Sequence, residues 1–256
     1  MKQNATSSSI EDYVKVIYGY TEWQDKPITS TALAARLGVA NSSVSEMVRK
    51  LKDQGLVDHQ PYSPIHLTEQ GLSLALSMVR RHRLLETYLV RELGYTWDEV
   101  HDEAEHLEHA VSEHFIERMS AKLGHPTRDP HGDPIPDPQG RITMAPSHRL
   151  DELDAGHSGS ISRISDHDPE LLRYLEHHGI GLDTNLLVLR LLPFGAGIEV
   201  QRLNAPHDAG PLALAHEVAV SLWLTSTGSH PGCSVQDPTG GSLMSPPLPG
   251  SRQLGR

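Results

Sequence analysis

The chain has little cysteine and no long apolar run, and each shortage excludes a class of protein. Its single cysteine, Cys233, lies in a segment rich in Pro, Gly and Ser. One thiol cannot form an intrachain disulfide or a thiolate zinc site, which fits a reducing compartment. No run approaches the ~18 apolar residues of a membrane span, and MKQNATSSSIEDY at the start lacks the apolar stretch of a signal peptide. We expect a soluble cytoplasmic protein without a membrane partner.

Basic residues are outnumbered, which by itself argues against nucleic acid as a partner. The chain of 256 residues has 33 acidic and 22 basic residues and a formal net charge of −11, whereas nucleic-acid binding usually needs a basic surface. The net charge is a sum over the whole chain, however. Carboxylates clustered for divalent cations would produce the same bias.

The segment HDEAEHLEH, residues 101–109, concentrates titratable side chains on one predicted helix face. Four of them follow the i, i+4, i+7, i+8 spacing of a single stripe: His101, Glu105, Glu108 and His109. A second stripe is apolar and is predicted to face the core: Val100, Ala104, Leu107 and Val111. Acidic helix faces are most often solvated surface, so a second observation is needed before this face is interpreted as a metal site.

The preceding helical segment supplies that observation. MVRRHRLLETYLVREL, residues 78–93, places His82 and Glu86 one turn apart on one face. Two consecutive helices therefore present nitrogen and oxygen donors at metal-ligand spacing. The H-E-x-x-H motif of zinc hydrolases is absent from both.

A winged helix is predicted between residues 28 and 68. Ser30 or Thr31 is expected to cap a first helix that Gly38 ends, and Asn41 or Ser42 to cap a second helix. The runs LVDHQ and PIHLT that follow Gly55 alternate in polarity and predict a two-stranded wing. Helix-turn-helix packing also serves as a plain interaction module. The exposed residues are therefore needed to distinguish a DNA-binding unit from such a module.

The exposed residues of this unit are mostly short and hydrogen-bonding, with basic residues near the second helix's end. Side chains of this kind can contact base edges and phosphates in a major groove. The candidates for DNA contact are Thr31, Asn41, Ser42, Ser43, Ser45, Glu46, Arg49 and Lys50. Their charges nearly cancel, so strong binding is expected only when two copies bind together.

After the helical segments, the sequence pattern predicts first a loop and then a strand-rich region. DPHGDPIP, within a Pro- and Gly-rich stretch, predicts a rigid loop. GSISRI, LLVLRLL and IEVQRL then predict strands around a short helix, DPELLRYLEHHG. The expected fold is mainly α with a small β part, divided into residues 1–68, 69–148 and 149–228, with a disordered tail at 229–256.

Five segments together resemble the diphtheria toxin repressor family of metal-dependent transcriptional regulators, and within it the manganese-responsive branch. They are EDYVKVIY, KDQGLV, VRRHRLLE, VHDEAEHLEH and DPHGDPIP. The resemblance extends from about residue 9 to residue 227 and implies three domains: a winged helix-turn-helix, a helical dimerisation and metal-binding domain, and a C-terminal SH3-like β-barrel of the FeoA type. It also implies a homodimer that binds double-stranded operator DNA and has no small-molecule substrate.

The resemblance also implies two metal sites. The family's primary, regulatory site corresponds here to Asp12, Glu105, Glu108 and His109. Its second site corresponds to His82, Glu86 and His101, with acidic ligands from the C-terminal domain for which Asp168 and Glu170 are the candidates. Without an ion, the carboxylates of the primary site are expected to repel one another and to keep the domains apart.

Two departures from the iron-type pattern indicate the metal. Iron-type members carry methionine and cysteine where this chain has Asp12 and Glu105, and oxygen ligands favour Mn(II) over softer ions. Lys15 stands where some small manganese regulators carry a carboxylate, which argues against a two-metal cluster built with that residue. The leading hypothesis is an Mn(II)-dependent repressor of metal-uptake genes. An Fe(II)-dependent regulator is the first alternative, and a metallohydrolase, which the winged helix disfavours, is the second.

Overall fold

A computed structural model describes residues 3–23, 27–61, 63–144, 146–203 and 210–226, with side chains from Ser8 onward. The segment predicted as a disordered tail, residues 229–256, lies outside the described residues. None of the described helices combines the length and the apolar character that crossing a lipid bilayer requires.

The N-terminal part is the predicted winged helix, preceded by a long helix. Its elements are α1 (Gln3–Glu22), α2 (Ser30–Leu37), α3 (Asn41–Asp53), β1 (Val57–Asp58) and β2 (His66–Leu67). The strands β1 and β2 pair antiparallel, and Gly38 ends α2 with a φ of 64°. Apolar residues of α1, α2 and α3, among them Val14, Leu33 and Val44, share one core.

The two helix caps differ from the prediction. Thr29 caps α2, because its extended backbone lets its side chain accept a hydrogen bond from the Ala32 amide, so that Ser30 and Thr31 already lie inside the helix. Ala40 precedes α3 and makes no side-chain cap, so Asn41 and Ser42 belong to the first turn of α3. Both side chains stay exposed there.

The helical part consists of α4 (Glu69–Leu93), α5 (Val100–Leu107) and α6 (Glu113–Lys122). The long helix α4 packs against α1, α5 and α6 and is buried on several sides. The helix α5 ends at Leu107, one turn earlier than the predicted stripe requires, because Ser112 caps α6 and the chain must turn before it. Glu108 keeps a helical backbone, with φ −58° and ψ −29°, and His109 lies in the turn that follows.

The C-terminal part is a six-stranded antiparallel sheet with two short helices. Its elements are β3 (His148–Arg149), β4 (Ser158–Ile164), α7 (Pro169–His177), β5 (Asn185–Leu191), β6 (Gly197–Arg202), β7 (Leu212–Ala215), α8 (His216–Ala219) and β8 (Leu222–Ser226). The strand order is β3-β8-β4-β5-β6-β7. The predicted strands are β4, β5 and β6, and the predicted helix is α7.

The loop between the helical part and the sheet is held tightly against β4. The Asp129 carboxylate accepts hydrogen bonds from the amides of His131 and Asp133, at 2.8 and 2.9 Å. Gly132 has a φ of 94°, and a Cβ there would lie 2.1 Å from the Ser162 carbonyl oxygen. Arg83 of α4 donates to the Pro134 carbonyl oxygen at 2.7 Å, so the predicted rigid loop rests on the C-terminal sheet as well as on α4.

Candidate metal centre

The buried carboxylate of Glu108 is the point at which the two domains' donor groups meet. Its side chain is fully buried in the turn after α5. One oxygen lies 2.7 Å from His82 Nδ1 of α4, and the other lies 3.6 Å from His109 Nε2. Acidic and imidazole groups are therefore concentrated where α1, α4 and α5 come together.

The first donor set is Asp12, Glu108 and His109, which offer donor atoms within 4.8 Å of one another. The His109 ring lies between two residues of α1, with Nε2 at 2.7 Å from Asp12 and Nδ1 at 2.8 Å from Glu11. Burial alone lowers the pKa of His109, but Glu11 and Asp12 raise it above its usual value. This set joins the helix that leads into the winged helix to the helical domain.

Glu105, the fourth residue implied for the primary site, lies in an overlapping set. It offers donor atoms together with His82 and Glu108, again within 4.8 Å of one another. The sets share Glu108, so the four residues implied by resemblance are close together without forming one cage in this arrangement.

Lys15 of α1 occupies the space between these carboxylates. Its ammonium group lies 2.7 Å from Glu105 Oε1 and 2.5 Å from Glu108 Oε1, and its side chain is 12% exposed. Burial alone lowers the pKa of Lys15, but the two carboxylates raise it above its usual value. Lys15 therefore offsets part of the repulsion that was expected to keep the domains apart.

His82, Glu86 and His101 form the second set, the trio that the family resemblance implied. His82 Nε2 lies 3.0 Å from Glu86 Oε1 and 3.2 Å from His101 Nδ1. Burial alone would lower the pKa of His82, but Glu86 and Glu108 together raise it to about 10. Burial opposes ionisation of Glu86, and the adjacent histidines lower its pKa well below the usual range.

A third set extends the second into the C-terminal domain and includes two residues that sequence analysis missed. Glu86, His131 and Asp166 offer donor atoms within 4.8 Å of one another. His131 is fully buried, and its Nε2 lies 2.7 Å from the Trp97 carbonyl oxygen. Its Nδ1 is buried and has no hydrogen-bond partner among the described residues. A buried nitrogen left without a partner in this way fits a metal ligand.

Asp168 and Glu170, the candidates from the C-terminal domain, lie elsewhere. Asp168 caps α7, where its carboxylate accepts a hydrogen bond from the Glu170 amide at 2.9 Å. Glu170 is exposed in the first turn of that helix. Among the described residues, the donor sets contain neither of them, and Asp166 is the acidic residue of this segment that faces Glu86.

The chemistry of the four sets fits a hard or borderline divalent cation. Every donor is a carboxylate or an imidazole, and no sulfur is present in them. Acidic groups also cluster without a metal, but the fully buried Glu86 and Glu108 are costly to hold in a protein interior unless they are paired with positive charge.

The candidate DNA-contacting residues lie on α2 and α3 of the winged helix and are mostly exposed. Seven of them are exposed: Thr31, Asn41, Ser42, Ser43, Ser45, Glu46 and Arg49. Lys50 is half-buried, and Ser45 Oγ donates to the Asn41 carbonyl oxygen at 2.9 Å, which leaves its lone pairs free to accept. This surface is open to a partner.

Comparison with known families matches all three parts of the chain. Residues 5–65 match the iron dependent repressor N-terminal DNA binding domain. Residues 68–137 match the iron dependent repressor metal binding and dimerisation domain. Residues 148–223 match the FeoA domain.

Individual proteins are similar over most of the chain. The iron-dependent repressor IdeR of Mycobacterium bovis is 30% identical over 232 residues, which is 85% of this chain and 98% of that protein. A solved manganese-dependent transcriptional repressor in complex with manganese is 48% identical, with a TM-score of 0.81, and the match covers 85% of this chain and 99% of that one. The manganese regulator SloR is 32% identical, with a TM-score of 0.69 over 85% of this chain and 98% of its own.

Proposed function

This chain belongs to the diphtheria toxin repressor family of metal-dependent transcriptional repressors, and from that premise we propose that it binds double-stranded operator DNA in response to Mn(II) and represses metal-uptake genes. The family consists of DNA-binding repressors and not of enzymes, so the metallohydrolase alternative is not retained. Its helix-turn-helix implies DNA as the partner, and its dimerisation domain implies a homodimer.

The convergence of Asp12 with Glu108 and His109 is the observation that carries the proposal. Asp12 is on α1, and α1 packs into the core of the winged helix through Ile10, Val14 and Ile17. A bound divalent cation supplies positive charge that these three donors can share. Holding Asp12 against the turn after α5 fixes α1, and with it α3, the second helix of the helix-turn-helix, relative to the helical domain.

Two arguments favour Mn(II) over Fe(II). The donors are oxygen and imidazole nitrogen, with Asp12 and Glu105 where iron-type members carry sulfur. The manganese-dependent repressor is 48% identical to this chain, whereas the iron-dependent repressor of M. bovis is 30% identical. Affinity order alone would favour zinc or copper, so selectivity has to come from geometry and from metal supply in the cell.

We further propose that Glu86, His131 and Asp166, with His82 and His101 beside them, hold a second ion. His101 Nδ1 lies 3.6 Å from Asp166 Oδ2, so this cluster joins α4, α5 and the C-terminal domain. The unpartnered Nδ1 of His131 supports this assignment. Asp168 and Glu170 remain only predictions for this role.

The proposal is tested by operator binding across a metal series. Operator fragments are first selected from genomic DNA with the Mn(II)-loaded protein, and their affinity is then measured anaerobically against free Mn(II), Fe(II) and Zn(II). We expect Mn(II) to activate binding within its cellular concentration range and Fe(II) to need a higher concentration than the cell supplies. Activation by Fe(II) within its cellular range, with Mn(II) ineffective in its own, would favour the iron-dependent alternative.

A single substitution tests the ligand argument in the same assay. Glu105→Cys restores the sulfur donor of iron-type members and should shift the response towards Fe(II). An unchanged ratio of the Mn(II) and Fe(II) responses would count against the argument from oxygen ligands. Asp102→Ser, an exposed position on the same helix, is the matched control.

A further inference from the structure

Arg163 of β4 is a buried cation placed between two tryptophans from different domains. Its guanidinium carbon lies 4.2 Å from the ring centroid of Trp23, which directly follows α1, and 4.1 Å from that of Trp223 on β8. The two indole rings lie 5.7 Å apart. Arg163 is only 4% exposed, and contact with the two ring faces offsets part of the hydration that its charge loses.

A buried ion pair holds the same guanidinium from the other side. Arg163 Nε donates to Asp133 Oδ1 at 2.6 Å, and both side chains are 5% exposed. Asp133 belongs to the loop that carries His131. The loop is packed directly on β4, where the Ile164 amide donates to the His131 carbonyl oxygen at 2.8 Å.

Arg83 of α4 connects the loop that carries Asp133 to the end of α1. Arg83 of α4 donates to both carboxylate oxygens of Glu22, at 3.0 and 2.6 Å, and one of its nitrogens lies 3.7 Å from Asp133. Glu22 is the last residue of α1, and Trp23 is the next. A chain of contacts therefore begins and ends at the C-terminal end of α1. It runs from Glu22 through Arg83, Asp133 and Arg163 to Trp23.

We infer that Arg163 is a positioning residue for the metal response: it anchors the end of α1 to the C-terminal domain and so keeps Asp12 within reach of Glu108 and His109. An α-helix is stiff over this length, so a shift at Trp23 moves Asp12 as well. The inference rests on the proposed function, because it assigns Arg163 a role in the site that Asp12 completes. The C-terminal domain then takes part in setting the metal affinity of the first donor set.

The test is a double-mutant cycle on Mn(II) affinity in the full chain without DNA, read from the electron paramagnetic resonance signal of free Mn(II). Arg163→Met and Asp12→Ala should each weaken the same Mn(II) binding phase, Arg163→Met by a factor in the range of about 5 to 150 that is typical of coupled sites. In the Asp12→Ala background, Arg163→Met should have no further effect on that phase. Residues that act independently would instead give additive losses.

Two more variants separate positioning from a role in folding. Trp23→Leu removes the contact on the α1 side and leaves the pairing of Arg163 with Asp133 and Trp223 intact, so it should reproduce the loss. Arg163→Lys keeps the cation and should recover part of the affinity. Arg190→Met, an exposed arginine of β5 paired with Glu199, is the control and should match the wild type.

The possible outcomes are distinct. Wild-type Mn(II) affinity in both Arg163→Met and Trp23→Leu would overturn the inference, and so would losses that add to the effect of Asp12→Ala. If Asp12→Ala itself left Mn(II) binding and operator binding unchanged, the proposed function would fail instead, whatever the Arg163 variants did.

Discussion

The ammonium group of Lys15 lies 2.5 Å from the buried carboxylate of Glu108, between the winged helix and the helical domain. The proposed metal-binding region thus contains a cation of its own. The lysine pairs with Glu105 and Glu108, two of the donors in the set completed by His82. We therefore expect this region to take one ion, at the primary site of Asp12, Glu105, Glu108 and His109, and not two.

Replacing Lys15 should change the number of ions bound. Lys15→Glu removes the competing cation and adds a carboxylate, so equilibrium dialysis against Mn(II) should show one more ion per protomer than in the wild type. Lys15→Met removes the charge without adding a ligand and serves as the control. An unchanged stoichiometry in Lys15→Glu would mean that the lysine does not limit occupancy.

Removing either carboxylate of the primary site should uncouple DNA binding from metal. Asp12→Ala and Glu105→Ala should lose Mn(II)-dependent operator binding in a gel-shift titration, while size-exclusion chromatography still shows a folded dimer. Asp12 is the donor from α1, so its loss removes the link between the domains. If either variant responded fully to Mn(II), the assignment of the site would be wrong.

Helix periodicity was sufficient to find the donors that lie close together in sequence. His82 and Glu86 are one turn apart on α4, and Glu105, Glu108 and His109 follow one stripe, so both groups could be recognised without a structure. Asp12 is on a helix far away in sequence and was identified only by resemblance. Its approach to His109, at 2.7 Å, depends on how α1 packs.

The remaining donors belong to loops, where no periodicity marks a side chain's direction. His131 faces Glu86 because Asp129 folds its loop and Gly132 lets that loop approach β4. In the segment SDHDP the sequence offers two aspartates, and nothing local indicates that Asp166 faces the cluster while Asp168 caps α7. The short strands β3, β7 and β8 were missed for a related reason, since each depends on pairing with a distant strand.

The two aspartates of that segment provide a matched pair of variants. Asp166→Asn should remove the second Mn(II) ion, because the carboxylate beside Glu86 and His131 becomes a neutral amide. Asp168→Asn should leave binding unchanged, since asparagine caps a helix about as well as aspartate. Counting bound Mn(II) in both variants checks this, and the reverse pattern would restore Asp168 as the ligand.

Metal binding should release protons, and the Mn(II) affinity should rise with pH. Histidine binds a metal as neutral imidazole, whereas the pKa of His82 is raised to about 10 and that of His109 is raised above its usual value. The His82 ring therefore holds a proton at pH 7 in the metal-free chain, and the raised pKa of His109 favours its protonated form. A ring that contacts the ion must lose its proton. The pKa of Glu108 is lowered by His82 and Lys15, so this carboxylate is already ionised and contributes no proton.

The stability of the metal-free fold and the affinity for Mn(II) depend on pH in opposite directions. A raised histidine pKa stabilises the metal-free fold at pH values below the usual pKa of about 6.5, and this contribution is lost as the pH rises through the raised value. Raising the pH should thus weaken the ion pairs of His82 and, at the same time, strengthen Mn(II) binding.

Calorimetric titration in two buffers of different ionisation enthalpy measures the protons released. His106→Gln, at an exposed position outside the donor sets, should release the wild-type number. Binding without proton release at pH 7 would show that neither ring is protonated where the ion binds.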